Sequence, residues 1–164
     1  MVPEDLVRQA GPIEIVPFRP GDGPAFKALN EEWLKAYFTV EPADEVMLGD
    51  PQGEILDRGG SIFFIRINGR AVGTVALINV GKGTCELAKM AVTASAQGRG
   101  LGNKLLGHTI AFAEQHGMHN LVLYTSRRLK PALHLYLRHG FREVPLDESP
   151  FRRAEVKMEK ALTR

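Results

Sequence analysis

Residues 84–116, TCELAKMAVTASAQGRGLGNKLLGHTIAFAEQH, constrain this chain more than any other stretch. An apolar run ends at Val92 and a loop of small residues follows. Gln97-Gly98-Arg99-Gly100-Leu101-Gly102-Asn103-Lys104 then opens an amphipathic helix. A strand, a glycine turn and a helix N-terminus in that order leave backbone N–H groups unpaired at the positive end of the helix dipole, which is a ready site for an anion. Glycine suits the turn for two reasons. It puts no side chain between an anion and the backbone, and it accepts positive φ without strain.

Two familiar glycine motifs do not fit. A Walker A loop needs Gly-x-x-x-x-Gly-Lys-Ser/Thr, a spacing that does not occur here. A dinucleotide fingerprint needs Gly-x-Gly-x-x-Gly, but Asn103 stands where its third glycine belongs, and the region about twenty residues on, Met118 to Leu121, holds no acidic ribose ligand. The pattern Gln/Arg-x-x-Gly-x-Gly/Ala is satisfied by Gln97, Gly100 and Gly102. Downstream, Ala132-Leu133-His134-Leu135-Tyr136-Leu137-Arg138-His139-Gly140-Phe141 satisfies Ala-x-x-x-Tyr-x-x-x-Gly-Phe. With both motifs in this order, the chain resembles the GCN5-related N-acetyltransferases (GNAT family) over about residues 13–160. It departs from them at Leu129, where relatives often carry an Asn that helps to hold the cofactor arm.

A chain of 164 residues is read as one domain, long enough to bury a core without staples. Its net charge of +2 is too small to argue for nucleic acid or a membrane surface. There is no apolar run of membrane-spanning length, and the N-terminal MVPEDLVRQAG does not read as a signal peptide. The single Cys85 excludes an internal disulfide and fits a reducing cytoplasm; it reads as a small buried residue of a central strand rather than a catalytic thiol. No metal site is expected.

In chain order, residues 1–11 are polar and expected to be loose, and residues 13–18 alternate as a first strand. Phe26, Leu29, Trp33, Leu34, Tyr37 and Phe38 recur at helical spacing, and that helix is expected to stop near Val40, before Pro42. Residues 41–51 read as a short helix closed by Gly49 and Pro51, with a further turn over 52–58. Asn68-Gly69 joins residues 62–67 to 70–80 as a type I′ hairpin, and apolar residues on both faces call for helices on both sides of the sheet. The long helix is expected over about 98–116, with Leu101, Leu105, Leu106, Thr109, Ile110 and Ala113 buried and Gly117 as its C-terminal stop. Residues 119–125 read as a parallel strand, the Pro131 helix carries Tyr136 to Gly140, and residues 141–144 and 154–162 read as an antiparallel closing pair. The fold class is therefore mixed α/β, with a mostly antiparallel central sheet between helices. The resemblance adds a three-layer arrangement with a splayed parallel strand pair at the cofactor.

The resemblance also implies an activity: acetyl transfer from acetyl-CoA to a primary amine, by direct attack in a ternary complex. The amides of Gly98, Arg99, Gly100, Leu101, Gly102, Asn103 and Lys104, with Gln97, would bind the pyrophosphate, and Arg99 and Lys104 would add charge. The backbone of Met90, Ala91 and Val92 would run beside the pantetheine, with an N–H near Met90 polarising the thioester. Tyr136 would be the general acid, since a tyrosine hydroxyl is protonated at neutral pH; the competing reading is a structural hydroxyl. Glu86 is the candidate base, because a carboxylate in an apolar central strand is costly unless paired or useful. An ion pair with Lys89 or Arg66 is the competing reading. Trp33, Tyr37, Phe38 and Glu41 would line the acceptor site by resemblance, although an aromatic stripe at this spacing also reads as core and Glu41 reads equally as a solvated charge or a helix-start acid. The acceptor would be a small-molecule amine or a protein amino group, and relatives suggest a homodimer. An acyl-CoA-binding sensor or interaction domain without transfer is the alternative, since residues 24–60 carry no recognisable acceptor signature.

Overall fold

The structure, a computed structural model, describes residues 2–4 and 11–163. The expected loose N-terminus falls partly outside them, at residues 1 and 5–10. Within them Val2 is held: its N–H donates to Thr93 Oγ1 at 3.4 Å, and its carbonyl accepts from Ser95 Oγ at 2.8 Å.

Seven strands form one sheet, β1 (Ile13–Pro17), β2 (Ser61–Ile67), β3 (Arg70–Gly81), β4 (Thr84–Val92), β5 (Asn120–Thr125), β6 (Arg142–Val144) and β7 (Val156–Ala161). Their spatial order is β1-β2-β3-β4-β5-β7-β6. All neighbouring strands are antiparallel except β4 and β5. Asn68 and Gly69 both take positive φ, 52° and 80°, as the β2–β3 turn requires. Helices cover both faces: α1 (Gly23–Tyr37), α2 (Pro42–Gly49) and the single turn α3 (Pro51–Glu54) on one, α4 (Leu101–Gln115) and α5 (Lys130–Arg138) on the other.

Alternation along β2 shows why two cores form. Ile62 and Phe64 join Phe26, Leu29, Leu34 and Leu48 under α1 and α2. Phe63, Ile65 and Ile67 join Leu101, Leu105, Leu106 and Ile110 of α4. Each buried side chain of this size contributes roughly 1.5–3 kcal/mol of burial free energy, so both faces hold the sheet rigid behind whatever is built at its open end. Cys85 lies in the α4 core, 4 % exposed. Among the described residues, no helix is long and apolar enough to cross a membrane.

Two boundaries differ from expectation by three residues. α1 ends at Tyr37 rather than near Val40, because Phe38 turns extended (φ −145°) while its N–H still donates to Leu34. The β-branched Thr39 and Val40 that follow are poor helix formers. α4 begins at Leu101, not Gly98, because Gly98 and Gly100 take φ of +81° and +75°, which no α-helix contains.

Candidate functional site

Strands β4 and β5 pair only at Thr84–Asn120, Cys85–Leu121 and Glu86–Val122. Beyond Glu86 they part. β5 continues alongside β7 through Thr125, while β4 continues alongside β3 to Val92. On β4 the register with β3 also slips. Thr74 and Ala76 face Ala91 and Ala88, so β4 carries one extra residue there, and Lys89 within that bulge takes a φ of +55°. The sheet therefore opens into a wedge with Glu86 at its apex.

A cavity of about 570 Å³ fills the wedge. Its walls include Glu86, Met90, Ala91 and Val92 from β4, Gln97, Gly98, Gly100, Leu101 and Gly102 from the glycine turn, and Tyr136 from α5. Trp33 and Tyr37 of α1 and Phe38 just beyond its end close it, their rings clustered with centroids 5.4 Å (Trp33–Tyr37) and 5.8 Å (Trp33–Phe38) apart.

At the glycine turn, α4 starts without a side-chain cap and with no acidic residue in its first turn. The N–H groups of its first residues thus have no helical acceptor, and the first turn itself brings no carboxylate to them. Positive φ is what demands glycine at 98 and 100, since a Cβ at either would meet nothing within 4 Å. Gly102 differs: a Cβ there would sit 3.4 Å from Met90 Cε, so it lets the helix start approach β4. The Gln97 side chain donates to the Val92 carbonyl at 3.0 Å and ties the turn to the strand end. Asn103 Oδ1 is bonded to His139 Nε2 at 2.7 Å, joining α4 to α5. Lys104 is exposed, and Arg99 is exposed within the turn.

The second motif is explained by the end of α5. Gly140 has a φ of +89°, its N–H donates to Leu137, and the Phe141 N–H donates to the Tyr136 carbonyl at 3.1 Å. These are the two bonds of a Schellman ending, whose apolar contact joins the same two residues: the Tyr136 and Phe141 rings meet edge to face at 5.9 Å. Gly140-Phe141 thus fixes where the Tyr136 ring points. Burial pushes the Tyr136 hydroxyl up to about 12, and it has no hydrogen bond among the described residues. Tyr124, on the same cavity, is different: its hydroxyl donates to Asp147 Oδ1 at 2.6 Å.

Burial raises the Glu86 carboxyl above its usual range; Lys89 and Lys157 pull it back and Asp147 pushes it up. Neither ion pair considered for it forms. Arg66 is bonded to Asp22 at 2.8 Å, and Lys89 Nζ to Asp44 Oδ1 at 2.6 Å. Among the described residues the Glu86 carboxylate has no hydrogen bond or ion pair.

Glu41 stands outside this cavity. It caps α2 in a reciprocal box with Asp44 and accepts from the Arg152 N–H at 3.1 Å and Arg153 Nη1 at 3.0 Å. Asp44, 0 % exposed, also receives both Arg153 Nη groups, at 2.9 and 2.6 Å, beside Lys89. Burial alone would raise its carboxyl, but the bonds from Arg153 and Lys89 outweigh it and the group lies below its usual range. Lys89 and Arg153 both lie 4.3 Å over the Phe151 ring. Lys89, Arg153, Phe151 and Arg128 all line the cavity. Of these, only Lys89 carried a signal in the sequence, as a charge interrupting an apolar strand.

Comparison with known proteins places this geometry. The acetyltransferase (GNAT) family model matches residues 26–141. An uncharacterized N-acetyltransferase of Schizosaccharomyces pombe is 31 % identical over 128 residues, covering 75 % of this chain and 78 % of that protein. A GNAT acetyltransferase of Staphylococcus aureus Mu50 superposes with a TM-score of 0.83 over 93 % of this chain and all of that one, at 21 % identity. The spermidine N-acetyltransferase of Vibrio cholerae, solved with CoA and spermine, superposes at a TM-score of 0.72 over 91 % of this chain and 95 % of that one, also at 21 % identity. At that identity the two structures show a shared fold.

Proposed function

The chain belongs to the GNAT family of acetyltransferases, and from that premise we propose that it transfers the acetyl group of acetyl-CoA to a primary amine by direct attack in a ternary complex. One observation carries the reading: pairing between β4 and β5 ends at Glu86, and an uncapped helix start and a tyrosine whose hydroxyl has no partner among the described residues line the cavity that this opens.

The residues fit the donor. The N–H groups of 98–103 suit a pyrophosphate, whereas the Lys104 N–H, expected to join them, already donates to the Gly100 carbonyl at 3.1 Å as the first bond of α4. The open edge of Met90 to Val92 suits the amides of a pantetheine arm as an added strand would. When bound, acetyl-CoA supplies the acetyl group as an activated thioester. An N–H near Met90 polarises its carbonyl. The amine nitrogen forms a bond to the carbonyl carbon, Glu86 accepts the amine proton, and the carbon–sulfur bond breaks. Tyr136 gives its proton to the departing sulfur. A phenol well above neutral is fully protonated, as a proton donor to a thiolate must be. The acceptor is a small-molecule amine or a protein amino group, and by the same resemblance the enzyme is a cytoplasmic homodimer.

Thermal unfolding with acetyl-CoA, ATP and NAD in separate samples tests the donor. A ligand at a hundredfold excess over its Kd stabilises by about 2.7 kcal/mol, and acetyl-CoA alone should produce such a shift. Thiol release with an amine panel then separates transfer from mere acyl-CoA binding. Tyr136→Phe should lower turnover roughly a hundredfold with the acetyl-CoA shift retained; unchanged turnover would remove Tyr136 as the acid.

A further inference from the structure

The charges around the acceptor end of the cavity do not suit a polycation. Lys89, Arg128 and Arg153 all line that cavity, and Glu86 is its one lining carboxylate among the described residues. The acids that would attract a cationic acceptor are engaged elsewhere. Asp44 and Glu41 lie outside the cavity lining and are bonded to Lys89 and Arg153. Glu45 is exposed on α2, also outside the lining.

Two guanidinium groups are left over. Arg128 lies over the Phe38 ring with 5.1 Å to its centroid, and its guanidinium has no ion pair among the described residues. It also lines a second cavity, of about 650 Å³, which shares Phe38, Arg128 and Arg153 with the first and adds Arg152. The Arg152 backbone N–H is bonded to Glu41, but its guanidinium likewise has no ion pair among the described residues. The acids on this second cavity are Glu41, held by Arg153, and Glu155, whose Oε1 accepts from Ser126 Oγ at 2.6 Å. Guanidinium forks without a carboxylate, beside aromatic rings, match a carboxylate or phosphate on a partly apolar molecule.

We propose that the acceptor is an amine that also carries an anionic group, held by Arg128 and Arg152 while its amine faces Glu86 and its apolar part lies against Trp33, Tyr37 and Phe38. This rests on the acetyl-transfer reading above. The contact with the Phe38 ring restricts the exposed Arg128 side chain, so it loses less freedom when the acceptor binds. Because Asp44 and Glu41 already offset Lys89 and Arg153, what a polyamine would meet is the Arg128 and Arg152 guanidinium groups, with Glu86 the one acid lining the first cavity among the described residues.

The test is thiol release from acetyl-CoA with matched amines: phenylalanine against phenethylamine, O-phosphoethanolamine against ethanolamine, and spermidine. The expected result is a kcat/KM at least tenfold higher for an anion-bearing member than for its partner, and the pair that shows it tells carboxylate from phosphate. The Arg128→Ala, Arg152→Ala double variant should lower that kcat/KM roughly ten- to a hundredfold and leave the acetyl-CoA thermal shift unchanged. Preference for spermidine or for the members lacking the anion would overturn the proposal. So would a double variant that loses the acetyl-CoA shift while keeping acceptor selectivity, because the two arginines would then belong to the donor site. Absence of thiol release with every amine tested, while the acetyl-CoA shift persists, would overturn the transfer reading and this proposal with it.

Discussion

Asp44 is fully buried and Glu86 half-buried, both beside Lys89, yet their surroundings are opposite. Asp44 receives Lys89 Nζ, two Arg153 N–H groups and the Glu41 backbone N–H. Glu86 receives nothing from the described residues and stands at the point where two strands part. A carboxylate with four donors is fixed in its charged form and ties α2, β4 and the segment before β7 together. A carboxylate with none retains its capacity to take a proton, and its position keeps it open to whatever enters the wedge. Burial is common to both; the partners decide which acid holds the fold and which is free for chemistry.

Removing Asp44 should have the largest effect on stability. Asp44→Asn leaves Lys89 and Arg153 facing an uncharged group in a dry place, and loss of one partner of a buried ion pair costs about 3–5 kcal/mol. For a chain of this size the melting temperature should fall by roughly 10 °C, measured by calorimetry. A change of a degree or two would mean that Asp44 is no hub.

Lys89→Met should cost less, about 1–3 kcal/mol, because Asp44 keeps its bidentate Arg153. Lys89 also lowers the Glu86 carboxyl through its charge, so its loss should move the titration of Glu86 to higher pH. An acid limb of the rate profile that stays in place would separate the two acids more sharply than the geometry does.

The smallest effect is on the stability of Glu86→Gln, and it carries a definite sign. The folded Glu86 carboxyl lies above its ordinary 4.5, so the folded state binds that proton more tightly than the unfolded chain. Its favourable contribution is present below the ordinary value and is lost as pH rises through the folded value. Asp44 runs the other way: its folded carboxyl lies below 3.8, so its contribution is present above 3.8 and lost as pH falls through the folded value. Glu86→Gln should therefore melt slightly higher than the parent at pH 7 and no higher near pH 4. A variant that melts lower at pH 7 would show that Glu86 has a stabilising partner.

Much of the scaffold was legible in the sequence because it is local. The Asn68-Gly69 hairpin, the buried stripe of α4 and the Gly140-Phe141 ending of α5 each follow from residues a few positions apart. The start of α4 was placed three residues early, because periodicity cannot see that Gly98 and Gly100 take left-handed φ. The aromatic residues of α1 illustrate a different limit. Helical spacing does not tell core from cavity wall, and Trp33, Tyr37 and Phe38 line the cavity only because β4 and β5 part opposite them. The Asp44–Arg153 pair spans 109 positions and leaves no periodic trace. For that reason the sequence could not show that Glu41, the helix-start acid of α2, is bonded to Arg153 and lines the second cavity rather than the first.

The claim at the centre of this account is that Glu86 takes the proton from the amine. The most direct test is the pH dependence of kcat, at saturating acetyl-CoA and acceptor, for the parent and for Glu86→Gln on protein shown to keep its acetyl-CoA thermal shift. The parent should show an acid limb with a midpoint above 4.5, and the variant should be slower by roughly a hundredfold or more and lack that limb. Equal rates with superimposable profiles would contradict the account and make Glu86 a bystander at the apex of the wedge.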